Sequence, residues 1–151
     1  MPIKDWSKYP PNWNSEIRPD ILLRAEDCCE QCKVKNKQYV CRGKWNDKSG
    51  TEIDVYQDED GYIFSAINGE KIGQSYVGDV FTNEKQKGTK IVLTIAHLDH
   101  DTSNNEYSNL KALCQKCHLS LDKDLHMANR KETNRKKKKQ TLIEFPVTTL
   151  Y

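Results

Sequence analysis

Nowhere does the chain hold an apolar run approaching the roughly 20 residues of a transmembrane helix, so the sequence alone predicts no membrane span. The opening stretch, Met1 to Tyr9, carries Lys4, Asp5 and Lys8 and no apolar core. Nothing in it resembles a secretory signal, and the expected address is cytoplasmic. Apolar residues are scarce throughout: 36% of the 151 residues are hydrophobic against 30% charged, and the mean hydropathy is −0.88. Such a chain has the length for one domain with a modest core and little apolar surface to spare. No internal repeat is visible, so a repeat array is excluded. In a reducing compartment the six cysteines read as metal ligands or free thiols rather than disulfides.

The charge is present but unevenly spread. The net value is only +2, yet residues 130–139 (RKETNRKKKK) hold 7 of the 24 basic residues and 1 of the 22 acidic ones. Arg130, Lys131, Arg135, Lys136, Lys137, Lys138 and Lys139 are therefore expected to meet nucleic-acid phosphate. The plainer alternative is a solvated helix end. Just beyond, residues 139–145 (KQTLIEF) loosely resemble a sliding-clamp-binding peptide, with Leu142 and Phe145 as anchors and Lys139 where glutamine is usual. Docking of this tail on the domain is the competing expectation.

Patterning gives an α+β chain. Residues 1–14, with Trp6, Tyr9, Pro10, Pro11 and Trp13, read as an extended arm that packs by its aromatics. A first helix is expected from Pro19, which suits a first helical position, through Ile21, Leu22, Leu23 and Ala25 to about Asp27. Residues 36–50 read as polar loop apart from Tyr39 to Cys41. Alternation at Ile53 and Val55, then Tyr62, Phe64 and Ala66, with turn signals at Asp60-Gly61 and Asn68-Gly69, predicts a small antiparallel meander over 51–81. Its aromatics Tyr56, Tyr62, Phe64 and Tyr76 are expected to form a small core rather than a base-stacking platform, and Asp58-Glu59-Asp60 a solvated turn. Residues 82–89 read as turn or loop. KIVLTIAHL (90–98) reads as one strand, Leu110 to Leu113 as a return strand, and the segment from Cys114 as a helix with an apolar stripe at Leu119, Leu121, Leu125 and Ala128. His118, Asp122 and His126 would share one face of it.

Two C-x2-C pairs stand out: Cys29 with Cys32, and Cys114 with Cys117. Two intervening residues let one turn aim both sulfurs at one ion, and two such pairs complete the tetrahedron of four thiolates that a structural zinc ion takes. With 81 residues between the pairs, the metal would tie the front of the chain to its back and supply much of the folding free energy. Cys28 adjoins Cys29 as a substitute ligand, though the spacing favours Cys29, and Cys41 reads as a buried thiol.

The stretch 96–122 (AHLDHDTSNNEYSNLKALCQKCHLSLD) places a histidine at a strand end, an asparagine 12 residues on, and a histidine directly after the second cysteine pair. Such groups suit phosphodiester cleavage: an imidazole to deprotonate water, a divalent ion to neutralise charge on phosphate and leaving oxygen, an amide to hold the base. The order Cys29-x2-Cys32, His97, Asn109, Cys114-x2-Cys117-His118 resembles the HNH endonucleases, in particular the bacterial and phage members with paired zinc cysteines. "NLKALCQKCH" (109–118) is similar to the end of the family motif, and "YPPNW" (9–13) with "ILLRAEDCCEQCKVKN" (21–36) to the N-terminal part of some members; residues 42–89 lie outside the match and read as an insertion.

That resemblance implies a ββα-metal (HNH, His-Me finger) core, His97 as general base, Asn109 as its orienting residue, and His118 as ligand of a catalytic Mg²⁺ or Mn²⁺ ion. The position before the base, often a metal-binding Asp or His, is Ala96 here, so Asp99, His100 or Asp101 would supply the missing ligand. In the alternative register Asp99-His100 is itself the family's pair and His100 the base. The expected activity is metal-dependent cleavage or nicking of double-stranded DNA, with RNA left open. The rival is a zinc-knuckle module that binds nucleic acid without cutting.

Overall fold

The computed structural model describes residues 6–80 and 88–144, with the side chains of Trp6, Asp124, Leu125, Lys139 and residues 141–144 left aside. Residues 82–87 of the expected turn, Phe145 and the side chain of Leu142 therefore fall outside the described residues, while Thr89, expected in the turn, begins a strand. The chain mixes helix and sheet and divides into two units, Met1–His118 and Leu119–Tyr151. Among the described residues no helix is long and apolar enough to cross a membrane.

In the first unit, Trp13, Ile17 and Ile21 recur every fourth residue and are all buried, the spacing of one helical face. A π-helical turn, Trp13–Ile17, runs directly into α1 (Arg18–Arg24), with Pro19 in its first turn as expected. The helix stops short of Asp27 because Glu26 and Asp27 both take φ of 53°, a left-handed conformation that no helix can continue. The N-terminal arm is not extended as expected. Its described part is a 3-10 turn (Trp6–Lys8) followed by the π-turn, although it does pack by its aromatics, Tyr9 against Trp13 at 4.7 Å between ring centroids.

Five antiparallel strands follow: β1 (Tyr39–Asn46), β2 (Glu52–Gln57), β3 (Tyr62–Ser65), β4 (Lys71–Gln74) and β5 (Thr89–Lys90), in sheet order β4-β3-β2-β1-β5. The meander and both glycine turns lie where the alternation put them. β1, however, occupies the stretch read as loop. Its pattern does alternate, but with charge on one face: Arg42, Lys44 and Asn46 sit opposite Tyr56, Asp54 and Glu52, while Cys41, Gly43 and Trp45 sit opposite Gln57, Val55 and Ile53. Lys44 Nζ lies 3.0 Å from the Asp54 carboxylate. A strand whose polar face is neutralised across the ladder carries too few apolar residues to signal itself. The other face buries Cys41, Val55, Ile63 and Val80, with Trp45, Ile53 and Ile72 packed against them.

Tyr56 and Phe64 stack at 5.1 Å, and Tyr62 takes the ammonium of Lys71 over its ring, but Tyr76 is 86% exposed and belongs to no core. Asp58 is buried rather than solvated, its carboxylate accepting the amides of Asp60 and Tyr62, while Glu59 and Asp60 face solvent.

The single strand expected over 90–98 is two. β5 ends at Lys90 and β6 spans Thr94–His97; between them Ile91 and Leu93 are buried and Val92 exposed. The extended link is held by irregular bonds: the Lys37 amide to Ile91 O, the Ile91 amide to Gln38 O, and the Leu93 amide to the Asn36 side chain at 3.1 Å. β6 pairs with β7 (Leu110–Leu113) in a separate hairpin, with Ala96 opposite Lys111 and His97 opposite Leu110. α1 packs against β7. Arg24, in the last turn of α1, donates to Leu110 O at 2.6 Å, to Tyr107 O at 2.8 Å and to the Glu30 carboxylate.

Helix α2 (Gln115–Leu121) follows β7 at once. Asp122 then forms a turn before α3 (Lys123–Glu144), so the segment expected as one helix is two, and Leu119 is exposed. The second unit is essentially α3. Its ion pairs run along its own surface, Glu132 to Arg135 and Lys136.

Two glycines test the packing behind the first cysteine pair. Gly69 has φ of +76°, and a Cβ there would lie 2.4 Å from Lys33 Cβ and 2.7 Å from Cys32 O; Gly50 has φ of +81° with nothing within 4 Å. Gly50→Ala is expected to cost about 1–2 kcal/mol, the backbone term alone, and Gly69→Ala about 2–6 kcal/mol, since overpacking against backbone adds to it. Denaturant unfolding of the two variants checks the order; equal losses would remove the close contact from the account.

Candidate metal centre and the histidine hairpin

The four cysteines of the two pairs come together. The sulfurs of Cys29, Cys32, Cys114 and Cys117 all lie within 4.8 Å of one another, and Cys29, Cys32 and Cys114 are fully buried. All six cysteines are free thiols. Cys32 Sγ and Cys114 Sγ are 3.7 Å apart, close to the edge of about 3.8 Å that four sulfurs take at about 2.3 Å from a tetrahedral zinc. The donor set and its spacing suit a structural metal such as zinc. Cys28 is outside the cluster, turned into a bridge with Lys35, and burial pushes its thiol up. Cys41 is buried in the sheet core, as expected, and burial likewise raises it.

Local backbone chemistry builds each half. After Cys32 the chain turns through Lys33 at φ of 58°, which lets the Lys33 amide reach Cys29 O at 2.8 Å and the Cys29 amide reach Val34 O at 2.9 Å. Glu30 joins the halves: its backbone amide donates to Ala112 O, and its carboxylate accepts the Ala112 amide at 2.7 Å. The Cys114 amide donates to Cys29 Sγ. Crowded sulfurs share protons unequally. Hydrogen bonding from Cys117 is the largest influence holding Cys114 down as a thiolate, and Cys114 in turn pushes Cys117 up. A dication relieves that conflict by replacing the shared protons.

One cation from the five-stranded sheet reaches this centre. Arg42, on β1, places Nη2 3.3 Å from Cys114 Sγ, and its Nη1 is buried without a hydrogen-bond partner. Its guanidinium lies 6.0 Å from the Tyr56 ring centroid. Four thiolates around a dication keep a net negative charge, which a buried guanidinium offsets. The sequence shows no signal for this residue, because Arg42 sits within what read as loop.

The histidines take different places. His97 ends β6 and is 7% exposed, stacked on Trp13 at 5.4 Å and 13° between planes, with Tyr9 at 6.1 Å. Its Nε2 lies 3.2 Å from Asn105 Oδ1. His118, on the first turn of α2, places Nδ1 2.7 Å from Thr94 Oγ1 on β6, bracing helix against hairpin. His100 lies in the following loop, exposed, at φ of 62°, its amide donating to His97 O. Ala96 is buried at 1% exposure.

Asn109 does not touch His97 through its side chain. Its Nδ2 donates to Asp99 Oδ1 and to Asn104 O, both at 2.9 Å, and its Oδ1 accepts the Asp99 amide. Asp99 also accepts the Asp101 amide and the Asn104 side chain. Asn109 and Asp99 thus staple the loop between β6 and β7, and Asn105, which the sequence reading passed over, is the amide beside the imidazole. Two adjacent asparagines in a loop carry no positional signal that separates one role from the other. Among the described residues, the four cysteines are the sole set of three or more His, Cys, Asp or Glu groups gathered at metal-binding distance.

Arg130, Lys131, Arg135, Lys136, Lys137 and Lys138 are exposed along α3, and Lys139 lies on the same helix with its side chain outside the described residues. The Asp122 carboxylate lies 3.9 Å from His126 Nε2. Compared with protein-family models, curated proteins and solved structures, the chain matches none.

Two outcomes follow from this geometry. Metal analysis of purified protein should find one zinc per four-cysteine set. Arg42→Met should weaken zinc about 10–100-fold in chelator competition, as loss of an outer partner does, with Arg42→Lys intermediate; unchanged affinity would remove the guanidinium from the centre. Separately, the Asp101 amide first, then the Asn109 and Asn104 side chains, hold Asp99 down to about 2. A carboxylate depressed in the folded state stabilises it above the unfolded value of about 3.9, and that share is lost as pH falls from there through the folded value. Carboxyl NMR titration should place Asp99 low in the wild type and higher in Asn109→Ala, though still below the free value of about 3.9, because the Asp101 amide and the Asn104 side chain remain.

Proposed function

We propose that the chain is a metal-dependent DNA endonuclease or nickase of the HNH type, with β6, β7 and α2 as its ββα-metal unit and a zinc ion in the four-cysteine cluster. The observation that carries the reading is the cross-braced hairpin and helix: His97 closes β6, β7 leads without a linker into α2, and His118 on α2 contacts Thr94 of β6. The resemblance of the chain to HNH enzymes runs through these same residues.

In this reading His97 takes a proton from the attacking water. His118, braced by Thr94 at Nδ1, would be a ligand of a Mg²⁺ or Mn²⁺ ion. When bound, that ion neutralises charge on the phosphate and on the leaving 3′-oxygen. Asp99 and Asn109 shape the loop through which the scissile phosphate would approach. The basic residues Arg130 to Lys139 add affinity that does not depend on base sequence.

A second reading has its own support. Ala96 stands where a metal ligand is expected, and His97 is largely covered by Trp13 and Tyr9. Both features suit a zinc-knuckle module that binds nucleic acid without cutting it.

Cleavage of several supercoiled plasmids of diverse sequence, with Mg²⁺, Mn²⁺ or EDTA, separates the two. The nuclease reading expects metal-dependent nicking that His97→Ala lowers at least about 100-fold and that His100→Ala leaves within about tenfold. A dead His100→Ala beside an active His97→Ala moves the base to His100. DNA retention with no cutting under any metal supports the binding module.

A further inference from the structure

We propose that Asn105 is the positioning residue of His97: it holds the imidazole as the Nε2–H tautomer and makes Nδ1 the atom that accepts the proton. The functional consequence rests on the nuclease reading above; the geometry does not.

The argument starts from the amide. Asn105 Nδ2 lies 3.1 Å from Ser103 O and 3.5 Å from Thr102 O. Both are carbonyl oxygens and can only accept, so the NH₂ end must face them. That fixes the other end: Oδ1 faces His97 Nε2 at 3.2 Å. An amide oxygen has no proton to give, so Nε2 must carry one, and in a neutral imidazole the lone pair is then on Nδ1.

The surroundings of Nδ1 agree. Among the described residues no hydrogen bond reaches it, yet it is not one of the fully buried polar atoms left without a partner, a group made up of Trp13 Nε1, Arg42 Nη1 and Gln115 Oε1. The residue is 7% exposed as a whole, and Nδ1 is not among its fully covered polar atoms. Trp13 covers one face of the ring in parallel and Tyr9 tilts against it, which resists ring tilting. Water therefore reaches His97 at the nitrogen that Asn105 has left basic.

The step balances. A water proton passes to Nδ1 as the water oxygen bonds to phosphorus. The phosphorus–O3′ bond breaks, its electron pair going to O3′, which takes a proton from solvent. The imidazolium keeps Nε2–H on Asn105 and returns the Nδ1 proton to solvent.

Long-range ¹H–¹⁵N correlation spectra of the full zinc-loaded chain, at alkaline pH where imidazole is neutral, read the tautomer directly. Wild type should show His97 protonated at Nε2. Asn105→Asp, still an acceptor, should keep that pattern, and Asn105→Ala should give a mixture. In plasmid cleavage Asn105→Ala should lower kcat about 10–100-fold with KM little changed, and Asn105→Asp should restore it. An Nδ1–H wild type, or a tautomer that Asn105→Ala leaves unaltered, overturns the proposal. Should Asn105→Ala fail to bind zinc and fold, the wild-type and Asn105→Asp spectra decide alone. If the spectra behave as expected and the wild type cuts no nucleic acid with any metal, the ring assignment stands and the nuclease reading falls.

Discussion

Four sulfurs gathered from the two ends of one unit are the constraint on which the rest of this protein depends. Cys29 and Cys32 close the segment after α1, Cys114 follows β7 and Cys117 lies in the first turn of α2, and 81 residues lie between the pairs. Joining them fixes a long loop, whose closure is entropically expensive, and a bound dication supplies that closure at one point. The hairpin and α2 are then held at the same place as α1, through the Glu30 and Arg24 contacts beside the knuckle. His97 and His118 lie on elements that this junction anchors. The five-stranded sheet is anchored to it as well, by Arg42 against Cys114 and by Gly69 lying flat against Cys32 and Lys33.

The remainder of the order comes from polar groups that satisfy one another, as a chain with so little apolar surface requires. Gln57 is completely buried, yet its amide donates to Gly61, Ser75 and Tyr76 carbonyls and accepts the Gly78 amide. Asn36 links Asp27, Lys37 and Leu93. Asp58 and Asp99 each collect backbone amides of their own loops. Each such side chain fulfils the hydrogen bonds of irregular backbone that a buried loop otherwise leaves unmet. The loop that carries His100 and Asn105 is one of the connections held in this way.

Sequence made the metal cluster, the meander and the return strand legible because each has a local signal: a two-residue cysteine spacing, alternation, a glycine turn. It did not reveal β1, whose charged face is complete only once Asp54 and Glu52 lie across from Lys44 and Asn46. It merged β5 and β6, since Ile91 and Leu93 look like strand residues while their backbone partners, Asn36 to Gln38, lie more than fifty positions away in an apparent loop. It carried one apolar stripe through Asp122, where the chain in fact turns. At the histidines it expected His97 at a strand end and His118 on a helix, where they lie, but it paired His97 with Asn109, whose side chain bonds Asp99 and Asn104 instead. Spacing ranks asparagines by position, whereas a hydrogen bond depends on which amide the folded loop turns inward.

That difference bears on how a covered imidazole can act as a base. A histidine stacked on Trp13 and 7% exposed looks poorly placed to meet water if burial alone is considered. Burial is not uniform over a ring, however. Asn105 occupies Nε2, Trp13 covers one face with Tyr9 tilted against the ring, and Nδ1 is not among the fully covered atoms. Covering the faces removes routes of approach without removing the lone pair, and it limits the orientations in which a water can present its proton. Orientation of this kind lowers a barrier by restricting the reacting partners before the reaction begins. On the nuclease reading, the aromatic cover that argues against His97 as an open base would, with Asn105 in place, give that base a single direction.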